Sequence, residues 1–305
     1  MMKAKMEENE KRILSGYSYD EEGPFFNIDT SGPGSIKRIR FHFRDKVFSI
    51  VCLNGRYCTG YYDLESFDSF GCPDAKRLRD EVKSNNCRSC NERSGFNPAF
   101  YNSREQLSPQ QAKYNERPHI VYLANFGRGA MKVGIASEDR SMVRLLEQGA
   151  RAAGKIARCK DAYRAREIEH AIHSKLGISE AMTARKKREL LSKEFNAGDA
   201  AREVRDVSAR VRDLIGEDVE RDPVIEDFTA GYFADNRMGL PLTDVTETSP
   251  MAISGKCVGM VGDVLFMEND GEFYMMSVKG MVSHPIMIEE GVVTPMPKRP
   301  QLSLF

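Results

Sequence analysis

"HIVYLANFGRGAMKVGIA", residues 119–136, is the stretch from which the organisation of this chain is read. Ile120 to Ala124 form one apolar run and Met131 to Ala136 a second, with Gly127 and Gly129 between them, the pattern of strand, turn, strand. Downstream, a helix is expected from about Asp139 to Ala153, with Gly154 as its C-terminal cap. "KIARCK" (155–160) then reads as a short strand, and Asp161 as the N-cap of a helix running to about Leu176. Two more helices are expected within 183–215, the second beginning near Asp199. Helical spacing places Arg140, Arg144, Gln148 and Arg151 on one face, with Val143, Leu146 and Ala150 toward the core. On the next helix Ala165, Ile168, Ile172 and Leu176 form the buried stripe, Glu169 lies at its edge and His173 one turn on.

Upstream, "IKRIRFHFRDKVFSIVCL" (36–53) reads as two strands: Ile39, Phe41 and Phe43 alternate with polar neighbours and "RDK" is the turn. Residues 100–117 are polar and read as a linker. From Met251 to Val293 strands return, punctuated by glycine, and "TPMPKRP" is a proline-broken tether to the last five residues. The expected architecture is α+β and multidomain. It comprises a β-rich N-terminal segment with a four-cysteine site (1–108), a three-stranded sheet with flanking helices (109–216), an acidic β-rich domain (217–296) and a flexible tail (297–305).

Bulk composition sets the class. A 305-residue chain that is 41% hydrophobic and 30% charged suits two or three globular domains. Its apolar runs, such as "FSIVCL", are too short to span a bilayer, and "MMKAKMEENEKR" lacks a secretory h-region, so the cytoplasm is the expected compartment. Zero net charge conceals an asymmetry: Arg104 to Leu214 carries roughly eight more Lys/Arg than Asp/Glu, and the remainder is acidic by about as much. A basic middle suits a polyanion such as nucleic acid; the other reading is i,i+4 ion pairs on solvated helices.

Four of the seven cysteines, Cys58, Cys72, Cys87 and Cys90, form a run that closes on a C-x-x-C pair. Such a pair presents two thiolates to one zinc ion, and the upstream two can complete a closed, structural tetrahedral site. The alternative is a set of buried thiols acting as small hydrophobes. Cys52, Cys159 and Cys257 lie within apolar strand patterns and read as core.

"IVYLANFG", "KVGIA", an arginine-bearing helix and "EIEHAIHSKL" together resemble the GIY-YIG endonuclease superfamily over about sixty residues. The wider chain also resembles an uncharacterised prokaryotic family with a four-cysteine segment before this core and a glycine-rich β segment after it, through "EQGA" (147–150) and "GKCVGMVGDVL" (255–265). The superfamily resemblance implies a metal-dependent DNA endonuclease in repair or replication with Mg²⁺ or Mn²⁺ at the catalytic site; zinc as a structural cofactor is the expectation from the cysteines. The resemblance implies Tyr122 to orient water, Glu169 to hold the metal with His173 following, and Arg144 with Lys132 to stabilise phosphate charge. Arg140 and Arg151 would add DNA contacts. Two motif positions depart from the family: its first-motif glycine is missing before Val121, and Lys132 stands where tyrosine is usual. Lysine binds phosphate as a point charge but at a pKa of about 10.4 is a poor general base.

Each residue also has a plainer role. Tyr122 can be core, Arg144 can pair with Glu147, Glu169 and His173 can be an i,i+4 helix pair, and Glu167 is a competing carboxylate. "QLSLF" resembles the bacterial sliding-clamp-binding pentapeptide, which implies that Leu302, Leu304 and Phe305 bury in a groove of the clamp while Gln301 hydrogen-bonds its edge. A tail packed on its own β domain is the alternative. The combined expectation is a clamp-recruited, nucleoid-associated DNA endonuclease. A non-catalytic DNA-binding adaptor on the clamp is its rival, and an RNA-binding zinc protein a third reading.

Overall fold

The computed structural model describes residues 11–32, 35–96, 107–216, 219–220, 222–234 and 241–297. The chain opens with three antiparallel strands in sequence order, β1 (Lys11–Asp20), β2 (Gly23–Gly32) and β3 (Ser35–His42). After a turn at Phe43–Lys46 comes β4 (Val47–Cys52). Two short ribbons follow: β5 (Arg56–Tyr57) pairs with β8 (Arg77–Leu78), and β6 (Tyr61–Tyr62) with β7 (Ser69–Phe70). Helices α1 (Arg88–Ser94) and α2 (Pro109–Asn115) lead into the middle of the chain.

There the expected order appears: β9 (His119–Asn125), β10 (Met131–Ser137), α3 (Ser141–Gln148), β11 (Ala152–Cys159) and α4 (Ala162–Leu176). α5 (Ala184–Leu191) and α6 (Ala197–Ile215) follow, and β12 (Ile225–Asp227) adds a fourth strand to the sheet, in the order β10-β9-β11-β12, all antiparallel. Three residues are too few for β12 to register as a strand in sequence, so the expected sheet had three. β9 is buried on both faces. Val121 and Leu123 meet Ile168 and Ile172 of α4 and Val204 and Val211 of α6, while Ile120, Tyr122 and Ala124 enter a second, larger core. A strand covered on both sides reads as a continuous apolar run, which is what "IVYLA" is.

Helix ends follow local signals, with one correction. As expected, the Asp161 side chain accepts the Arg164 amide at 2.7 Å and α4 runs to Leu176, where Gly177 caps it. α3, however, stops at Gly149 (φ 77°), five residues before Gly154. Ala152 to Gly154 are already strand, paired with Asn125 to Leu123. Alanine favours helix, but closing the sheet beside β9 outweighs that weak preference. The turn also changes which residues face inward: Leu145 is the buried leucine of α3, and Val143 and Leu146 are only half-buried. α6 begins earlier than expected, with Asn196 accepting the Asp199 amide at 3.0 Å.

The last strands are β13 (Leu242–Asp244), β14 (Ala252–Val261), β15 (Val264–Asn269), β16 (Glu272–Ser277) and β17 (Ile286–Glu290). With β4 they make one six-stranded sheet, ordered β13-β16-β15-β14-β4-β17 and antiparallel apart from β13 with β16. This corrects the division into an N-terminal segment and a separate C-terminal domain, because β4 pairs with both β14 and β17. β3 and β4 do not share a sheet. Phe43 and Phe48 on either side of their turn are fully buried, and Phe43 packs on Phe26 with ring centres 4.4 Å apart. Phenylalanine burial therefore steers the two strands into different sheets around one core. Cys159 and Cys257 are buried strand residues as expected, and Cys52 is half-buried. Among the described residues, no helix is long and apolar enough to cross a membrane.

Candidate functional site

Two clusters of the singled-out residues come together, and they differ in kind. In the first, the sulfurs of Cys58, Cys72, Cys87 and Cys90 all lie within 4.8 Å of one another. A tetrahedral zinc–thiolate centre with bonds of about 2.3 Å needs sulfurs about 3.8 Å apart, so a small contraction completes it. The amides of Cys87 and Gly60 point at Cys58 Sγ at 3.1 and 3.4 Å, an arrangement that supports a thiolate. Burial pushes the Cys58 thiol up to about 11 and raises Cys90 as well. Cys87 is held low, because hydrogen bonds from Cys90 and the other thiols overcome its burial. The local core consists of three of these cysteines and Leu78, with Tyr61 and Cys87 packed against it. So small an apolar core cannot order a loop-rich segment alone. The donor set fits a zinc ion and could hold one.

The second site surrounds Tyr122. β9 and β10 pair Tyr122 with Gly134, and a Cβ on Gly134 would lie 2.4 Å from the tyrosine hydroxyl. Glycine is thus needed for the ring to lie across β10. Lys132 projects on the same face, Nζ 5.8 Å from the ring centre. Tyr122 is 1% exposed and burial raises it to about 12; Glu169 adds to the shift, and Arg144 and Gln148 oppose it. Lys132 is also buried, and burial with the positive charges of Arg144 and Lys187 lowers it to about 8. Lys187 is lowered in turn, by burial first, with Arg144 contributing. Tyr122, Lys132, Arg144 and Glu169 therefore lie close enough to shift one another's charge states.

Other expected residues are elsewhere or otherwise engaged. Glu169 is buried, and its pKa is raised by burial against the opposing charge of Arg166, with which it forms an ion pair. Arg166 also holds Glu180 at 3.0 Å. As arranged, this carboxylate does not fit a divalent cation, because a guanidinium already supplies the positive charge. Glu167 pairs with Arg164 at the surface and is not a competitor for this position. His173 is exposed at the end of α4 and donates from Nδ1 to the Ile178 carbonyl at 2.8 Å, so it does not join Tyr122.

Arg151 is a correction. The expected helix placed it outside, but it stands where α3 has ended and is 1% exposed, with Phe195 stacked 3.7 Å from its guanidinium. It cannot contact DNA from there. Arg140 is half-buried, pairs with Glu147 at 3.1 Å and lies over the Tyr62 ring. Arg144 is exposed and has no ion-pair partner among the described residues. Lys187 escaped the sequence reading because "RKKRE" looks like a solvated helix face; nothing local marks its third residue as buried against Phe126. Gln301, Leu302, Leu304 and Phe305 lie outside the described residues.

Comparison with known proteins returns one finding. No curated protein and no solved structure matches the chain. A family model described as "Protein of unknown function" matches residues 48–286, from the second residue of β4 to the first of β17, taking in the cysteine cluster, the Tyr122 site and the shared sheet. The chain therefore belongs to the family described as Protein of unknown function (DUF2797).

Proposed function

We propose that this chain is a DNA-binding protein built on a GIY-YIG-like core, braced by a structural zinc ion and recruited to the sliding clamp by its QLSLF tail. The observation that carries the reading is the concentration of positive charge at Lys132, Arg144 and Lys187. Buried Lys132 and half-buried Lys187 are both lowered, by desolvation first and by the charge of Arg144 in addition. Like charges gathered this closely are relieved by an anion, and a phosphate accepting hydrogen bonds from several cations is the anion that DNA offers. The β10-β9-β11 order with α3 and α4 supports the GIY-YIG-like core. A tethered clamp motif would raise the local concentration of a weakly binding basic domain on DNA.

The test is binding of single-stranded, duplex and branched DNA by the full chain, with and without loaded clamp. Arg144→Ala is expected to weaken binding about tenfold and to flatten its salt dependence. Removal of residues 301–305 is expected to abolish only the gain from the clamp. No DNA binding at low salt would end this reading.

A second reading, phosphodiester cleavage at the same site, is favoured by Lys132 standing beside Tyr122 with a pKa near 8. At that value unprotonated Nζ can take a proton from an attacking water that the Tyr122 hydroxyl orients, a role ordinary lysine fills poorly. The same panel with Mg²⁺ or Mn²⁺ decides it. Cleavage that rises as pH passes through about 8 and disappears in Lys132→Met would promote this reading over the first.

A further inference from the structure

A cavity of about 440 Å³ lies between the cysteine unit and the edge of the central sheet, a volume suited to one nucleotide-sized ligand. Its wall includes Tyr62 of β6, Tyr114 of α2, His119 of β9, Ser137 of β10, and Arg140 and Arg144 around the start of α3. Two of these carry unused hydrogen-bonding capacity. Ser137 Oγ and Tyr62 Oη are both buried without a hydrogen-bond partner, and Ser137 is 0% exposed. Unpaired buried hydroxyls are uncommon because each lowers stability, and two in one cavity wall point to a ligand that pairs them.

The remaining groups describe that ligand. Burial lowers the His119 pKa and keeps the ring neutral; Nδ1–H donates to the Arg117 carbonyl at 2.8 Å, which leaves Nε2 as a bare acceptor. Asn86 also lines the cavity and gives its amide N–H groups to Thr59 and Gly60, so its carbonyl oxygen remains to accept. Donors and acceptors in one wall match the mixed edge of a nucleobase. The rings supply flat surface: the Arg140 guanidinium lies 4.8 Å from the centre of Tyr62, and Tyr114 meets His119 edge to face at 5.3 Å. Among the described residues, no carboxylate lines the cavity. The adjoining hollow, which shares Tyr62 and Arg140, sets Asp20, Asp68, Asp139 and Glu147 against Arg38 and Arg40, whereas Arg144 lines only the cavity and is the cation placed for a phosphate.

We infer that this cavity seats one unpaired nucleobase, paired by Ser137, Tyr62, His119 and Asn86, with its phosphate on Arg144. Aromatic and guanidinium faces hold single bases in this way wherever strands are bound unpaired. The inference deepens the DNA-binding proposal and rests on it for one choice alone, that the base belongs to a strand; a free nucleotide offers the same chemistry.

The test titrates the full-length chain with a short single strand carrying one 2-aminopurine, without Mg²⁺ or Mn²⁺, so that cleavage does not enter. The sequence has no tryptophan to obscure the signal. Binding is expected to quench the analogue, and a strand with an abasic site in its place to bind about tenfold more weakly. The Ser137→Ala/Tyr62→Phe chain is expected to lose that contrast while melting above wild type, since two unpaired hydroxyls are gone. Equal binding of base and abasic strands by wild type, or a contrast that survives in the double variant, overturns the base seat while leaving DNA binding intact. A parallel arm uses deoxyadenosine 5′-monophosphate alone. Binding there, with the same dependence on Ser137 and Tyr62 but none to any strand, keeps the seat, assigns it to a free nucleotide and overturns the DNA reading instead.

Discussion

The cysteine cluster and the Tyr122 cluster are both assembled from distant pieces of chain, yet they depend on their surroundings in opposite ways. Four like groups converge in the first, around a core so small that the thiols are most of it. Unlike groups meet in the second, embedded in a core that runs through three sheets and stands without them. Ligand chemistry organises the one; packing positions the other. The first should therefore collapse when its ligands are removed, and the second should respond residue by residue.

The sharpest way to break that contrast is Cys87→Ser/Cys90→Ser. Structural zinc–thiolate sites are worth apparent binding energies of about 10–16 kcal/mol, so the variant is expected to lose one zinc ion. Residues 56–94 should become open to trypsin while the β9–β11 sheet resists it. Native mass spectrometry and peptide mapping read both; a zinc-free chain that still resists cleavage there would remove the distinction.

Within the second cluster the largest single effect is expected from Gly134→Ala. The new methyl meets the Tyr122 hydroxyl, and overpacking of this kind costs about 1–3 kcal/mol. Denaturant melts should show the loss, and Tyr122→Leu in the same chain should recover most of it. An additive double mutant would mean that the two residues do not press on each other.

Lys132→Met sharpens the comparison through pH. The folded pKa of about 8 lies below the unfolded value of about 10.4, so between these pH values the unfolded chain carries the extra proton. Stability attributable to Lys132 therefore rises with pH across that window, and its burial is most unfavourable below about 8. Melting temperatures from pH 7 to 10 should climb less steeply in Lys132→Met, which should also be the more stable chain at pH 7. Parallel curves for the two chains would place the lysine in water. The smallest effect is expected from Asp161→Ala, which removes the N-cap of the helix carrying Glu169, about 1 kcal/mol by thermal melt with zinc content unchanged.

Legibility in the sequence follows the range of the interactions involved. Asp161 and Gly177 bracket α4 because caps act within one turn, and the C-x-x-C pair is legible because both thiols sit on one short turn. Gly154 was the expected end of α3, and only the pairing of Ala152 with Asn125 shows that Gly149 ends it instead. That one choice carried Arg151 from an imagined helix face into the core. The Arg166 pair that closes Glu169 depends on Glu180, on a loop beyond the helix, and Lys187 depends on contacts with Phe126 and α3. Motif spacing assembled the centre of the site but not the charges that surround it.

The place of β4 has a consequence in time. Val51 pairs with Ala252 and Met287, so this strand leaves the ribosome about 200 residues ahead of its neighbours. At roughly 5–20 residues per second, Phe48 and Ile50 wait on the order of 10–40 s without the strands that cover them. The nascent chain then holds an unpaired apolar strand beside an unmetallated thiol cluster. A zinc ion held by the cysteines during synthesis would anchor one flank of that strand long before the sheet can close.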